Sequence, residues 1–270
     1  MNHYYVITNS IKDPGLEFTK KVCEFLSARG CDVVPGHVHP EIPDDCECVI
    51  VLGGDGSVLQ AAAKVGERNI PILGINLGTL GYLAEIEKKN YETALQQVIA
   101  GDFEIEERMM LDGRAGTDGR THSALNDVVF ARRGPLRILN YDVYVNGQFL
   151  NSFNADGIIL STPTGSTAYN LSAGGPIVEP SAKMILVTPI CPHTLNNRSI
   201  ILSADDRVEV TIGRTSTDSC LEAEVDFDGN DSVSLRTGES MQIYQSEKTV
   251  RTIKLSKRSF LETLHKKITM

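Results

Sequence analysis

The segment VIVLGGDGSVLQAAA, residues 49–63, sets a carboxylate among glycines between an apolar run and an alanine-rich stretch. Gly53, Gly54 and Gly56 lack a β-carbon, so backbone N–H groups there can approach a phosphate closely. Ser57 followed by Gln60 has the spacing of a capping box, which predicts a helix whose first turn contains Val58 and whose positive end faces the loop. Asp55 is out of place in a site for anions unless it serves a magnesium ion indirectly or accepts a proton from an attacking hydroxyl. Fixing a tight turn through an Asx bond is the competing reading. No Gly-Lys-Ser/Thr follows, so the loop is not a P-loop, and it departs from GxGxxG.

A second stretch, NADGIILSTPTGSTAYNLSAGGPIV (residues 154–178), gathers Asp156, Thr162, Thr164, Ser166, Thr167, Tyr169 and Ser172 into one strand, turn and following segment. Pro163 and Gly165 force a bend, and the hydroxyls supply short donors and acceptors suited to a sugar, an amide or a phosphate. Asn126-Asp127 opens an apolar strand, LNDVVF, as a third polar pair.

Two patterns must position these groups. Up to about residue 103, YYVITNS, CVIVL and IPILGI read as buried strands alternating with helices in GLEFTKKVCEFLSARG, VLQAAAKVG and NYETALQQVIAGD. Alternation implies crossovers and a mostly parallel, Rossmann-like sheet. The first helix is expected to face inward through Leu16, Val22, Phe25 and Leu26 and to stop at Gly30; the third is expected to end at Gly101. Beyond residue 103, YDVYVNGQFLNSF places Asn146-Gly147 between alternating runs, a strong hairpin signal. VEVTIGR, LEAEVDFDGNDSVSLRTGESMQIYQ and TVRTIKL continue as short strands. RSFLETLHKKI returns to helical spacing through Phe260, Leu261, Leu264 and Ile268. The expectation is an α/β domain of residues 1–103, rejoined by 251–270, and a β-rich, sandwich-like domain of residues 104–250.

Bulk properties narrow the function. The chain has 270 residues, 41% apolar and 23% charged, as in ordered globular proteins. A net charge of −9 argues against nucleic acid as a partner. The basic residues Lys248, Arg251, Lys254, Lys257, Arg258, Lys266 and Lys267 read as the solvated face of a closing strand and helix. No run approaches a membrane span and MNHYYVITNS lacks a leader's pattern, so a cytoplasmic protein is expected. Cys23, Cys31, Cys46, Cys48, Cys191 and Cys220 form no CxxC pair, which fits a reducing compartment and no structural zinc. The sequons at Asn170 and Asn197 carry no meaning there.

GGDGS, NLGTLGYL, ALNDVV, DGIILSTPTGSTAYNLSAGGPIV, TPICPHTLNNR and DFDGN stand in the order and spacing of the bacterial NAD kinases, and the chain resembles that family over nearly its whole length. The resemblance implies phosphorylation of the adenosine ribose 2′-hydroxyl of NAD by ATP with Mg²⁺, with polyphosphate an open alternative donor, in a homotetramer or homodimer. It makes Asp55 the proton acceptor, with Gly54 and Gly56 beside the substrate. Asn126 and Asp127 match the pair that holds ribose hydroxyls, and Asp156 the carboxylate near the nicotinamide carboxamide. Thr164, Thr167, Ala168, Tyr169, Asn170, Leu171 and Ser172 match the segment around adenine and the nicotinamide half. Cys191, Asn154 and Asn230 fall at further dinucleotide positions.

Four of these positions depart from the family pattern. Asp127 replaces Glu and shortens the reach by about 1.5 Å, Ser57 replaces Thr, Asn154 stands where a basic residue is usual, and Asn230 replaces Gln. Lipid kinases and 6-phosphofructokinase share GGDG. The former follow it with Asn-Glu where this chain has SVLQAAA, and a PKTIDND-like run of the latter is absent. A binding-only NAD sensor is the rival from another class, and an intact Asp55 speaks against it.

Overall fold

The computed structural model describes residues 1–78, 81–84, 86–116, 119–134, 138–193, 198–213, 221–255 and 260–269. The sequence readings at residues 79–80 and 194–197, at Cys220, Lys257 and Arg258, and at the side chains of Lys266 and Ile268 lie outside them. The chain divides into two compact units, Met1–Glu107 with Val250–Met270, and Arg108–Thr249.

The first unit alternates strand and helix. In order these are β1 (His3–Thr8), α1 (Glu17–Ser27), β2 (Asp32–Pro35), β3 (Cys48–Gly53), α2 (Asp55–Val65), β4 (Ile72–Asn76), β5 (Ile86–Glu87) and α3 (Tyr91–Ala100). β2, β1, β3 and β4 lie side by side and parallel, as the crossovers require. β3 is buried at every residue, and its unbroken run of apolar side chains suits a strand covered on both faces. Gly101 closes α3 at φ 78°, where a β-carbon would be strained.

The inward face of α1 is Phe18, Val22 and Leu26. Leu16 is instead the residue before the helix, at φ 55°, and Phe25 is half-buried against Tyr91 and Arg29. Asp13 accounts for the difference. Its carboxylate accepts the N–H groups of Phe18 and Thr19 and the Thr19 hydroxyl, so it caps the first turn from outside the helix.

The second unit is built from strands, β6 (Glu104–Ala115) entering it and then β7 (Thr121–Ala124), β8 (Asp127–Arg132), β9 (Leu139–Val145), β10 (Gln148–Ala155) and β11 (Gly157–Ser161). A one-turn helix α4 (Tyr169–Ser172) precedes β12 (Met184–Ile190), β13 (Ile200–Ser203), β14 (Val208–Ile212), β15 (Glu222–Phe227), β16 (Asp231–Arg236) and β17 (Ser240–Lys254). β13-β12-β11-β8-β15-β16 form one antiparallel sheet, and β10-β9-β14-β17 run antiparallel in another. Phe130, Ile158 and Phe227 of the first and Tyr141, Phe153 and Ile243 of the second belong to one buried cluster, the sandwich expected of period-2 strands. Asn146 (φ 51°) and Gly147 (φ 79°) make the two-residue turn between β9 and β10.

TVRTIKL does not form a strand of its own. It continues β17, whose fifteen residues leave the second unit and pair Thr252 with Ile72 of β4. The chain then forms α5 (Phe260–Ile268) within the first unit, where Phe260 lies 6.2 Å from the Tyr82 ring. Leu261, one of the apolar residues at helical spacing, is 68% exposed. Among the described residues no helix is long and apolar enough to cross a membrane.

Candidate active site

In the first unit the glycine loop starts α2 earlier than the Ser57–Gln60 pattern indicated. Gly54, extended at φ −136°, is the residue before the helix, and Asp55 is its first residue. The Ser57 hydroxyl reaches back toward the Gly54 N–H at 3.5 Å rather than forward to a cap of its own, so Ser57 closes the box from inside the helix. A β-carbon at Gly53 would collide with Ser57, and one at Gly54 would lie 2.8 Å from Lys12 Nζ, whereas Gly56 opens onto free space. The N–H groups of Ser57 and Val58 close onto Gly54 O, which leaves those of Asp55 and Gly56 to define an anion-facing end.

The Asp55 carboxylate is held by three backbone donors. Its Oδ1 accepts the N–H groups of Leu83 and Ala84, both at 3.0 Å, and its Oδ2 accepts that of Tyr82 at 2.7 Å. Gly81 is needed for this approach, since a β-carbon there would overlap the carboxylate. A carboxylate offers about four lone-pair directions, so three donors leave one, on Oδ2. Lys267 of α5 lies over the Tyr82 ring at 3.7 Å. Burial lowers the pKa of its ammonium, and the Asp55 charge works against that lowering.

In the second unit the polar residues fall into two groups at opposite ends of β11. Beyond Ser161, Thr162 Oγ1 donates to Leu125 O at 2.6 Å and accepts the Gly165 N–H at 3.0 Å, which folds the TPTG turn back on residues 125–126. A β-carbon at Gly165 would overlap the Asn126 carbonyl. Ser166 bridges the N–H and carbonyl of Val178, and Asn170, fully buried, binds Ser166 O, Pro176 O and the Thr188 hydroxyl. The Asn170 amide is thus used inside the protein and places the turn. Thr167 donates to Thr164 O at 3.4 Å, Ala168 is half-buried, and Tyr169, Leu171 and Ser172 are exposed. Thr164 Oγ1 is buried without a hydrogen-bond partner among the described residues, a hydroxyl waiting for one.

Asp127 opens β8 at this end, 6% exposed and with no cation bonded to it among the described residues. Burial, then the charges of Asp228 and Asp226, push its carboxyl up to about 7. Asn126 is half-buried beside it, and Asn230 is exposed in the turn between β15 and β16, its amide donating to Asp228 O.

The second group lies where β11 begins. Asp156 pairs with Arg132 Nε at 2.9 Å, its N–H donates to Ile190 O, and the exposed Cys191 follows Ile190 at φ 45°. Asn154 O accepts the His193 N–H, and its side chain meets Asn140. Five residues of strand separate the groups, roughly 17 Å. Sequence reasoning did not single out Arg132 or Asp228. The available signal for Asp228 was an Asp-Gly step between two alternating runs.

A glycine loop opening a helix beside a fixed carboxylate, with a hydroxyl-rich binding unit, is the equipment of a nucleotide-dependent phosphotransferase. The model of the ATP-NAD kinase N-terminal domain matches residues 35–103, and that of the C-terminal domain residues 125–255. NAD kinases of Lachnospira eligens and Lachnoclostridium phytofermentans are each 43% identical to the chain, over 99% of it and 100% and 99% of their own lengths. An NAD kinase from Archaeoglobus fulgidus, solved in complex with ATP, superposes with a TM-score of 0.83 at 27% identity, covering 99% of this chain and 98% of that one. A yeast NADH kinase complexed with NADH shares the fold at a TM-score of 0.88 and 23% identity, over 100% and 88% of the two chains. The chain belongs to the NAD kinase family, enzymes that phosphorylate NAD to NADP with ATP.

Proposed function

We propose that Asp55 is the proton acceptor of this reaction and that residues of the second unit hold the dinucleotide: Asn126 and Asp127 at the ribose hydroxyls, Thr164 and residues 167–172 around adenine and the nicotinamide half, and Asp156, with Asn154, Cys191 and Asn230, at further contacts. The observation that carries this reading is the fixed Asp55 carboxylate at the first residue of α2, with one lone pair left on Oδ2. A ribose hydroxyl is far less acidic than a carboxylic acid of pKa about 3.9, so it cannot be ionised in advance. Its oxygen bonds to the γ-phosphorus as the bridging P–O bond breaks and ADP leaves, and its proton passes late to Oδ2. The glycine loop and helix end align and neutralise the phosphates.

Among the described residues no group of three or more His, Cys, Asp or Glu side chains is placed to cage a metal. The donor set fits a magnesium ion that arrives with ATP and is held by phosphate oxygens and water, with Asp55 as the protein's anionic neighbour. When bound, it supplies charge neutralisation. Cytoplasmic residence and a homotetrameric or homodimeric assembly belong to the same reading, with polyphosphate the open alternative donor. Light scattering checks the assembly.

The test is Asp55→Asn, assayed for NADP with a glucose-6-phosphate dehydrogenase read-out. Turnover is expected to fall roughly 10²–10⁴-fold while circular dichroism stays native. Near-normal NADP formation removes Asp55 from the mechanism.

A further inference from the structure

Asp228 stands in the turn between β15 and β16 in the left-handed conformation, φ 55°, followed by Gly229 at φ 71°. Its carboxylate grips three consecutive backbone donors: Oδ2 accepts the Leu125 N–H at 2.6 Å, and Oδ1 accepts those of Asn126 at 2.9 Å and Asp127 at 3.1 Å. The Asp228 N–H returns a bond to Asp127 O at 3.3 Å. On the other side of the same segment, Asn126 O accepts from Thr162 N–H and the Ser161 hydroxyl.

The geometry has a clear electrostatic logic. No cation lies within ion-pair distance of Asp228 among the described residues, and burial, the largest influence, pushes its carboxyl above the usual range while the three N–H groups hold it down. Ladder pairing of β8 with β11 starts at Asp127 and with β15 at Val128. The donors of Leu125 and Asn126 thus fall ahead of either ladder, and Leu125 is 1% exposed, so a lost acceptor would leave buried N–H groups unpaired. Leu125 and Asn126 form the bend between β7 and β8. The backbone angles of residues 125–127 therefore decide where the Asn126 amide and the Asp127 carboxyl are delivered.

We infer that Asp228 is a positioning residue for NAD: by clamping the N–H groups of residues 125–127 it sets the Asn126–Asp127 pair, and this rests on the reading above that the pair takes the ribose hydroxyls. Asp228→Asn keeps the size but leaves one acceptor oxygen and turns an NH₂ toward N–H donors. KM for NAD is expected to rise about tenfold or more, with KM for ATP held within about twofold. Asp228→Glu, which keeps the carboxylate, is expected to recover part of the loss. A purely structural role would move both KM values together, and that result, or no change in either, overturns the inference.

Asn126→Ala separates the two levels. If it raises KM for NAD while Asp228→Asn behaves as wild type, the inference falls and the reading stands. If Asn126→Ala leaves KM for NAD unchanged, the reading falls and takes the inference with it. Should Asp228→Asn not fold, the wild-type protein decides by NMR. The amide protons of Leu125, Asn126 and Asp127 are expected to exchange slowly and to shift together on adding NAD. Solvent-rate exchange, or no shift on adding NAD, overturns the inference.

Discussion

Replacing Asp127 by Asn tests whether the second unit carries a carboxyl that stays protonated near neutrality. Asp127 is 6% exposed, faces the carboxylates of Asp228 and Asp226, and has its pKa pushed from the ordinary 3.8 up to about 7. Because the folded-state value is the higher one, the native state keeps its proton where the unfolded chain has lost it. The stabilisation is complete below 3.8 and disappears as pH climbs through about 7. At ~1.4 kcal/mol per pH unit, that span is worth about 4 kcal/mol, of which about 3 falls between pH 5 and 8. Asn cannot ionise, and Asp228 and Asp226 are present in both proteins, so the difference between them reports Asp127 together with its coupling to those two carboxylates. Urea unfolding at pH 5, 6, 7 and 8, urea being uncharged, should show the wild type losing up to about 3 kcal/mol relative to Asp127→Asn. Two stability curves that stay parallel within about 0.5 kcal/mol would refute the account, and with it the claim that burial and two like charges govern this carboxyl.

Three further substitutions test the same sites. Gly165→Ala drives a β-carbon into the Asn126 carbonyl and is expected to lose about 3 kcal/mol or more, whereas Gly56→Ala, which meets open space, should melt like the wild type yet raise the KM for substrate; differential scanning calorimetry beside the NADP assay reads both. Thr164→Val deletes a buried hydroxyl that has no partner among the described residues. It should leave the free protein as stable or slightly more so and weaken NAD binding by calorimetric titration, and a stability loss beyond about 1 kcal/mol would show that the hydroxyl already has a partner.

Much of the architecture could be read from the sequence because local pattern and tertiary burial agree there. CVIVL is apolar throughout and becomes a strand covered on both faces, and Asn146-Gly147 supplies the two positive φ angles that its hairpin needs. The two misread helix starts share one cause, capping contacts that apolar periodicity does not encode. Asp13 caps α1 from outside and displaces Leu16 from the inward face, and Gly54 with Ser57 starts α2 before the pattern that Gln60 indicated. Asp55 itself was visible as a carboxylate among glycines, but not its three donors at residues 82–84, nearly thirty positions away. Asp228 stayed hidden for the same reason, since its partners are a hundred residues upstream and a turn aspartate has many local uses. The split of the hydroxyl-rich stretch between the two ends of β11 depends on pairing with β8 and β12, which one linear segment cannot reveal.

The first unit is stitched from both flanks of the chain, with Thr252 laid beside Ile72 only after Arg108–Thr249 has been made for the sandwich. On a ribosome, therefore, the contiguous middle has all its residues in hand before the glycine-loop half has its last strand. The older sequence must wait for the younger. A polypeptide cut short before Val250 and released would carry the residues of the sandwich and an open-edged companion, and that exposed edge at Ile72 is where a chaperone or a protease would find it.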